Sequence, residues 1–208
     1  MIKFKFFINF DKEEKWLNEM AKQGFKLTNK SIGYVFQPSE PENATIKMDY
    51  RTFNKQDDFE DYRVLFEDSG WKHIAGTKGS GAQYFKKIDE NGNEDIFSDA
   101  DSKAARYKRI SQMWISLATA FIPIFAVLIS TGSIDAKAFL NPKLLYYTPG
   151  LWEETGAAFW RAFLFETPFV LFRVFFWALI PVTIVLYLIF AYKANKQYQK
   201  TQEDPYRK

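Results

Sequence analysis

Two stretches of this chain carry no charged residue: Ile110 to Ile134, and Val174 to Tyr192. A helix needs about 20 predominantly apolar residues to cross the hydrocarbon core of a bilayer, and each stretch meets that length. A helix buried in a soluble core usually keeps one polar face for water, and neither stretch has one. Two membrane-spanning helices are therefore expected. Lys103, Arg106, Lys108 and Arg109 precede the first stretch, and Lys193, Lys196, Lys200, Arg207 and Lys208 follow the second. Between them Lys137, Lys143 and Arg161 are outnumbered by Asp135, Glu153, Glu154 and Glu166. Lys and Arg on short flanks mark the cytoplasmic side. The expected protein is thus multi-pass in the cell (inner) membrane, with both termini in the cytoplasm and the connecting loop outside. Met1 to Phe10 reads as a strand with a charged helix behind it, so no cleavable signal is expected there.

The mean hydropathy of −0.29 conceals this division. Up to Ile110 there are 19 basic and 19 acidic residues, leaving 9 and 6 of the chain's 28 and 25 for the remainder. A neutral N-terminal half without a basic stripe argues against direct nucleic-acid binding. The absence of cysteine excludes a disulfide scaffold, a thiolate metal site and a thiol nucleophile.

A repeat with an offset of 46 runs through that half: Asp11, Glu14, Trp16, Met20, Gly24, Phe25 and Lys26 correspond to Asp57, Glu60, Tyr62, Phe66, Gly70, Trp71 and Lys72. Each copy opens a helix with an Asp-x-x-Glu pattern resembling a capping box, repeats apolar residues at helical spacing, and stops at a glycine. Alternation over Phe4, Phe6, Ile8 and Phe10, and over Ile46, Met48 and Tyr50, predicts a strand ahead of each helix. Hairpins Phe25–Lys30 with Tyr34–Gln37, and Trp71–Thr77 with Gln83–Lys87, follow the helices. The predicted fold class is a cytoplasmic α+β domain, a duplicated β-α-β-β forming an antiparallel sheet with two helices on one face, followed by a two-helix transmembrane region. Its divisions are an α+β domain at 1–98, a juxtamembrane helix at 99–110 begun by Ser98-Asp99, and a first span at 111–133. An aromatic-rich outer loop with an interfacial helix occupies 134–167, the second span 168–192 and a basic tail 193–208. No Gly or Pro falls between Asp99 and Trp114, so the juxtamembrane helix can run into the first span as a rod.

Most motif-like features have a plain structural reading. Lys78-Gly79-Ser80-Gly81 lacks the spacing and Lys-Ser/Thr pair of a phosphate loop and lies between strands, as a hairpin turn does. Asp57, Asp58, Glu60 and Asp61 open a helix, where the dipole favours carboxylates, so no metal site is assigned. His73 has no partner ligand and reads as a packed imidazole. Glu153 and Glu154 have no nucleophile or second base beside them, so no catalytic residue, no cofactor and no enzymatic activity are expected. Pro123 and Pro181, near the middles of the two spans, act as a pair of hinges or as static kinks. The segment between Phe139 and Trp177 is one-third aromatic. It forms either an interfacial belt and anchor or a cleft for an amphiphile, with Trp152, Trp160 and Arg161 as its candidate ligand-binding residues. Arg173, set inside the outer edge, is either a fourth site residue or a snorkelling cation.

The phrases KFKFFINFDKEEKWLNEMAKQGFKL, GYVFQP, DYRVLFEDSGW and IFSDADSKAARYKR resemble the domain-of-unknown-function family 2812 over roughly Met1 to Arg109. The resemblance implies a protein of Gram-positive bacteria with C-terminal spans, encoded near PadR-type transcriptional repressors, and no catalytic residues. The expected function is a two-span membrane regulatory or sensor protein that passes an envelope or amphiphile signal to a cytoplasmic partner, for which a PadR-like repressor is the candidate. Lys3, Lys5, Lys47 and Arg51 are the expected partner-binding face. The alternative is a non-catalytic accessory or scaffold subunit of a larger membrane complex such as a transporter. The expected partners are the lipid bilayer and a protein in the membrane or cytoplasm.

Overall fold

Residues 1–89 and 91–203 are described by a computed structural model, so Arg207 and Lys208 of the basic tail lie outside the described residues. The chain divides into two compact units, one comprising Met1–Met113 with the end of the last helix from Phe190, the other Trp114–Ile189.

The first unit holds β1 (Ile2–Lys3), α1 (Phe10–Lys22), β2 (Phe25–Lys30), β3 (Tyr34–Pro38), β4 (Ile46–Tyr50), α2 (Gln56–Asp68), β5 (Trp71–Ala75) and β6 (Ala82–Lys87). It is the expected α+β architecture, duplicated. Both α1 and α2 have 13 residues, and both ends of α2 lie 46 positions beyond those of α1. The strands form two antiparallel ladders, ordered β1-β3-β2 and β4-β6-β5. Even the irregularities repeat: register shifts fall between Leu27 and Asn29 and, 46 on, between His73 and Ala75. Each helix ends before a glycine with positive φ, +80° at Gly24 and +82° at Gly70, the left-handed turn that glycine adopts without a Cβ clash.

The strand expected over Phe4–Phe10 is corrected by the structure. Ladder pairing ends at Lys3 opposite Tyr34, because β3 begins there and its chain turns away at Gly33. Phe10 instead starts α1 and is buried against the rings of Tyr107 and Tyr50, at 4.6 and 6.4 Å. The cap is also displaced from the expected Asp11. The Asn9 side chain accepts from the Lys12 amide at 3.0 Å, while α2 starts after Lys55 with no side-chain cap. Lys78-Gly79-Ser80-Gly81 is the hairpin turn its context implied, its Ser80 hydroxyl accepting from the Thr77 amide at 2.9 Å.

Aromatic packing dominates both copies. Trp16 lies edge-on to Tyr34 and Phe36, and Phe59, Tyr62, Trp71 and Phe85 form the second core with Phe53, Phe66 and Ile96 around it. His73 is packed as expected, its ring 5.2 Å from Phe85 and its Nε2 3.0 Å from the Gln83 amide oxygen.

Among the described residues two helices are long and apolar enough to cross a membrane, α3 (Ala100–Ser130) and α4 (Gly156–Glu203). The Asp99 carboxylate caps α3 by accepting from the Ser102 amide at 2.7 Å. Within the first unit the start of α3 and the end of α4 pack together. Ala104 and Ala194 are buried, the Ser111 hydroxyl donates to the Ala191 carbonyl at 3.0 Å, and Gln202 donates to Asp101 at 2.9 Å. In the second unit, 3-10 turns at Ala136–Phe139 and Pro142–Leu145 connect the helices, capped by Asp135 and Asn141. The segment expected as a separate interfacial helix, 156–167, is the first part of α4 and continuous with the second apolar stretch.

Candidate functional site

The first unit concentrates its buried charge along one strand. β4 pairs only with β6, so Ile46, Met48 and Tyr50 turn their outward amides and carbonyls to an open edge. Such an edge ordinarily recruits another strand. Here side chains occupy it. The Asn18 side chain of α1 accepts from the Ile46 amide at 2.8 Å, and Glu14 accepts from the Met48 amide at 3.2 Å. From α3, Arg106 donates to the Met48 carbonyl at 2.8 Å and Arg109 donates to the Tyr50 carbonyl. Two helices thus satisfy in side-chain atoms what a seventh strand would satisfy in backbone.

The ion pairs behind these bonds are specific. Arg106 is fully buried; it reaches Glu14 at 2.5 Å and Asp11 at 2.7 Å, with the rings of Phe10, Phe97 and Tyr107 about its guanidinium at 5.2 to 5.4 Å. Burial pulls its pKa down, but Glu14 and Asp11 outweigh that and hold the cation above its ordinary range. Its Nε is buried without a hydrogen-bond partner. Arg109 reaches the buried Asp49 at 2.5 Å, and Asp49 also accepts from Tyr62 at 3.0 Å and from the Tyr50 amide at 2.7 Å. Burial, then the negative charge of Asp49, push the Tyr62 phenol far above its ordinary range, so it remains a donor. Beside this set, Glu13 accepts from Tyr34 at 2.6 Å and from Tyr84 at 2.5 Å; its pKa is raised, burial outweighing the two hydroxyls. These groups are locked to one another across α1, α3 and β4, and Arg109 also lines a cleft with Tyr50, Arg51, Thr52, Gln112 and Met113. Among the described residues no cluster of His, Asp and Glu is arranged to hold a metal ion.

The residues expected to face a protein partner divide between the two copies of the repeat. Lys3 and Lys5 belong to the first copy, where Lys3 Nζ lies 3.3 Å from Met20 Sδ and Lys5 Nζ stands 5.0 Å from the rings of Phe7 and Trp16. Lys47 and Arg51 belong to the second copy. Lys47 pairs with Glu14 at 3.3 Å, and the exposed Arg51 lies over Phe53 and Tyr62.

In the second unit, Trp152 joins a ring cluster with Tyr146, Phe159 and Phe163 at 5.2 to 6.2 Å, with the Lys143 ammonium over its face. Trp160 stays mostly exposed against Phe159 and Phe163, and Arg161 points outward except for a bond to the Ala157 carbonyl. Arg173 is committed elsewhere: it donates to the Leu145 carbonyl, lies 3.6 Å from the Tyr147 ring and stands 4.0 Å from Glu166. Glu166 in turn accepts from the Tyr147 and Thr148 amides and the Thr148 hydroxyl. Together the two charges hold the loop segment 145–148 onto α4. Pro123 and Pro181 both lie inside unbroken helix.

In the sequence Arg106 and Arg109 read as charges flanking the first span. Their spacing of three on a helix, which puts both on one face, was the signal that they act together. Glu14 lies 92 positions from Arg106, beyond any local pattern.

A family model described as a protein of unknown function (DUF2812) matches residues 9–119. No curated protein and no solved structure matches.

Proposed function

The chain belongs to the DUF2812 family of proteins of unknown function, and from that domain's attachment to α3 we propose that it is a two-span regulatory protein of the cytoplasmic membrane. In this reading α3 passes a change in the membrane-embedded region to the α+β domain, which engages a cytoplasmic protein. The carrying observation is that one helix contains the first apolar stretch and also supplies Arg106 and Arg109 to the open edge of β4. A rotation or shift of α3 would have to break those bonds or move β4 with it. The basic flanks favour cytoplasmic termini and an outer loop. That loop carries the aromatic cluster around Trp152, with Trp160 exposed beside it, as the surface for a membrane-active amphiphile.

A PadR-type repressor is the partner that the family resemblance implies. The test is co-elution of the purified full chain, in nanodiscs, with such a repressor. A complex of defined ratio that amphiphile addition weakens, and that Trp160→Ala makes insensitive, supports the relay. A repressor that elutes alone removes it as the partner.

One observation favours a second reading, an accessory subunit of a larger membrane complex: the apolar parts of α3 and α4 are almost wholly unburied within the chain. Exposed Phe172, Phe175, Phe176 and Leu179 offer a surface for other helices. Poly-Leu replacement of both spans abolishes function in that case, while Trp160→Ala leaves it intact.

A further inference from the structure

One end of the first β-α-β-β copy is apolar where a soluble domain would be polar. Phe4 is 76% exposed, Phe6 60% and Ile32, at the tip of the β2–β3 turn, 89%. They form one patch. Lys3 pairs with Tyr34, and a Cβ built on Gly33, next to Ile32, would come within 3.2 Å of Phe4 Cε1. Phe6 continues the patch to α4, its ring 5.3 Å from that of Phe190. Phe190 belongs to the uncharged stretch ending at Tyr192, and the exposed Lys193 and Lys196 follow it.

The duplication supplies an internal comparison. Forty-six positions on, Phe4, Phe6 and Ile32 become Tyr50, Thr52 and Lys78. Tyr50 stacks on Phe10, and Thr52 and Lys78 are polar. The fold itself therefore does not require apolar residues at these positions. They occur in the copy whose end meets Phe190. Aromatic and aliphatic side chains flanked by lysines, at the level where an apolar helix gives way to basic residues, suit the boundary between lipid headgroups and acyl chains.

We propose that Phe4, Phe6 and Ile32 insert into the headgroup–acyl boundary of the leaflet from which α4 emerges after Tyr192, with Lys193 and Lys196 at the lipid phosphates. The inference rests on the reading of α4 as a membrane span.

The cysteine-free chain makes the test direct. Single variants Phe4→Cys, Ile32→Cys, Leu65→Cys and Ile122→Cys of the full protein are labelled with a nitrobenzoxadiazole dye. They are reconstituted into vesicles of phosphatidylcholine and phosphatidylglycerol containing lipids doxyl-labelled near the headgroup. Leu65 lies on α2 with comparable exposure, and Ile122 lies within the first apolar stretch. Loss of emission at positions 4 and 32, with none at 65, is the expected result. Emission at 4 and 32 as unaffected as at 65, while deep doxyl lipids quench position 122, overturns the insertion alone. An unquenched position 122 overturns the membrane span and the insertion together.

Discussion

Arg106 is the residue on which most of the first unit's polar structure converges, and its replacement has a defined consequence. Arg106→Met leaves Glu14 buried without its arginine and strips a donor from the Met48 carbonyl. Breaking one side of a buried pair costs about 3–5 kcal/mol. The midpoint of urea unfolding, followed by tryptophan emission, is expected to fall accordingly. The double variant Arg106→Met with Glu14→Met recovers only part of that loss, because the buried carboxylate is gone while the Met48 amide loses its acceptor and Lys47 loses Glu14. An unchanged midpoint in the single variant contradicts the role given to the pair. Glu13 makes the opposite point. Its folded pKa lies above the ordinary glutamate range because it is buried, despite the hydroxyls of Tyr34 and Tyr84. A carboxyl raised in this way costs stability once pH exceeds its unfolded pKa, the folded state then binding more protons than the unfolded one. Glu13→Gln is therefore expected to unfold at higher temperature than the parent at neutral pH. The gap should close as pH falls through the ordinary glutamate range, which a series of melts would show.

At the scale of elements, the helices and their stops were legible and the first strand was not. Apolar spacing together with a glycine defines α1 and α2, since both signals are local. Gly24→Ala would force a positive φ on a side chain and bring its Cβ within 2.9 Å of the Ser39 carbonyl oxygen. Gly70→Ala would bring it within 2.7 Å of Asp89 Cβ. Each substitution is expected to lower stability by about 1 kcal/mol or more, read as a fall in melting temperature. The Phe/Lys alternation after Lys3 has the pattern of a strand but no partner, because β3 begins at the same level. Pairing is a property of two segments, and a pattern in one cannot reveal where the other begins. The same reasoning covers β4: its alternation was readable, whereas the side chains of α1 and α3 along its edge come from distant parts of the chain. Arg173 stands out in the sequence beside an uncharged stretch, whereas the Leu145 carbonyl that holds it lies 28 positions away, outside any local pattern.

For the whole molecule, the charge plan and the duplicated domain tell one story. A neutral α+β unit is joined to two helices that each contain a long uncharged stretch, and the basic residues flanking those stretches fall in the same unit as the domain. Within the first unit the start of α3 and the end of α4 are packed together, so both helices leave the domain from a shared base. In the two-span topology proposed above, each helix crosses the membrane once, with the domain inside and the loop outside. Single cysteines placed at Leu140, 92% exposed in the connecting loop, and at Leu65 on α2 test it in whole cells with a membrane-impermeant maleimide. Labelling of Leu140→Cys from outside, with Leu65→Cys labelled only after the cells are permeabilised, is the expected outcome. Equal labelling of both positions in intact cells, or labelling of neither before permeabilisation, contradicts the two-span topology.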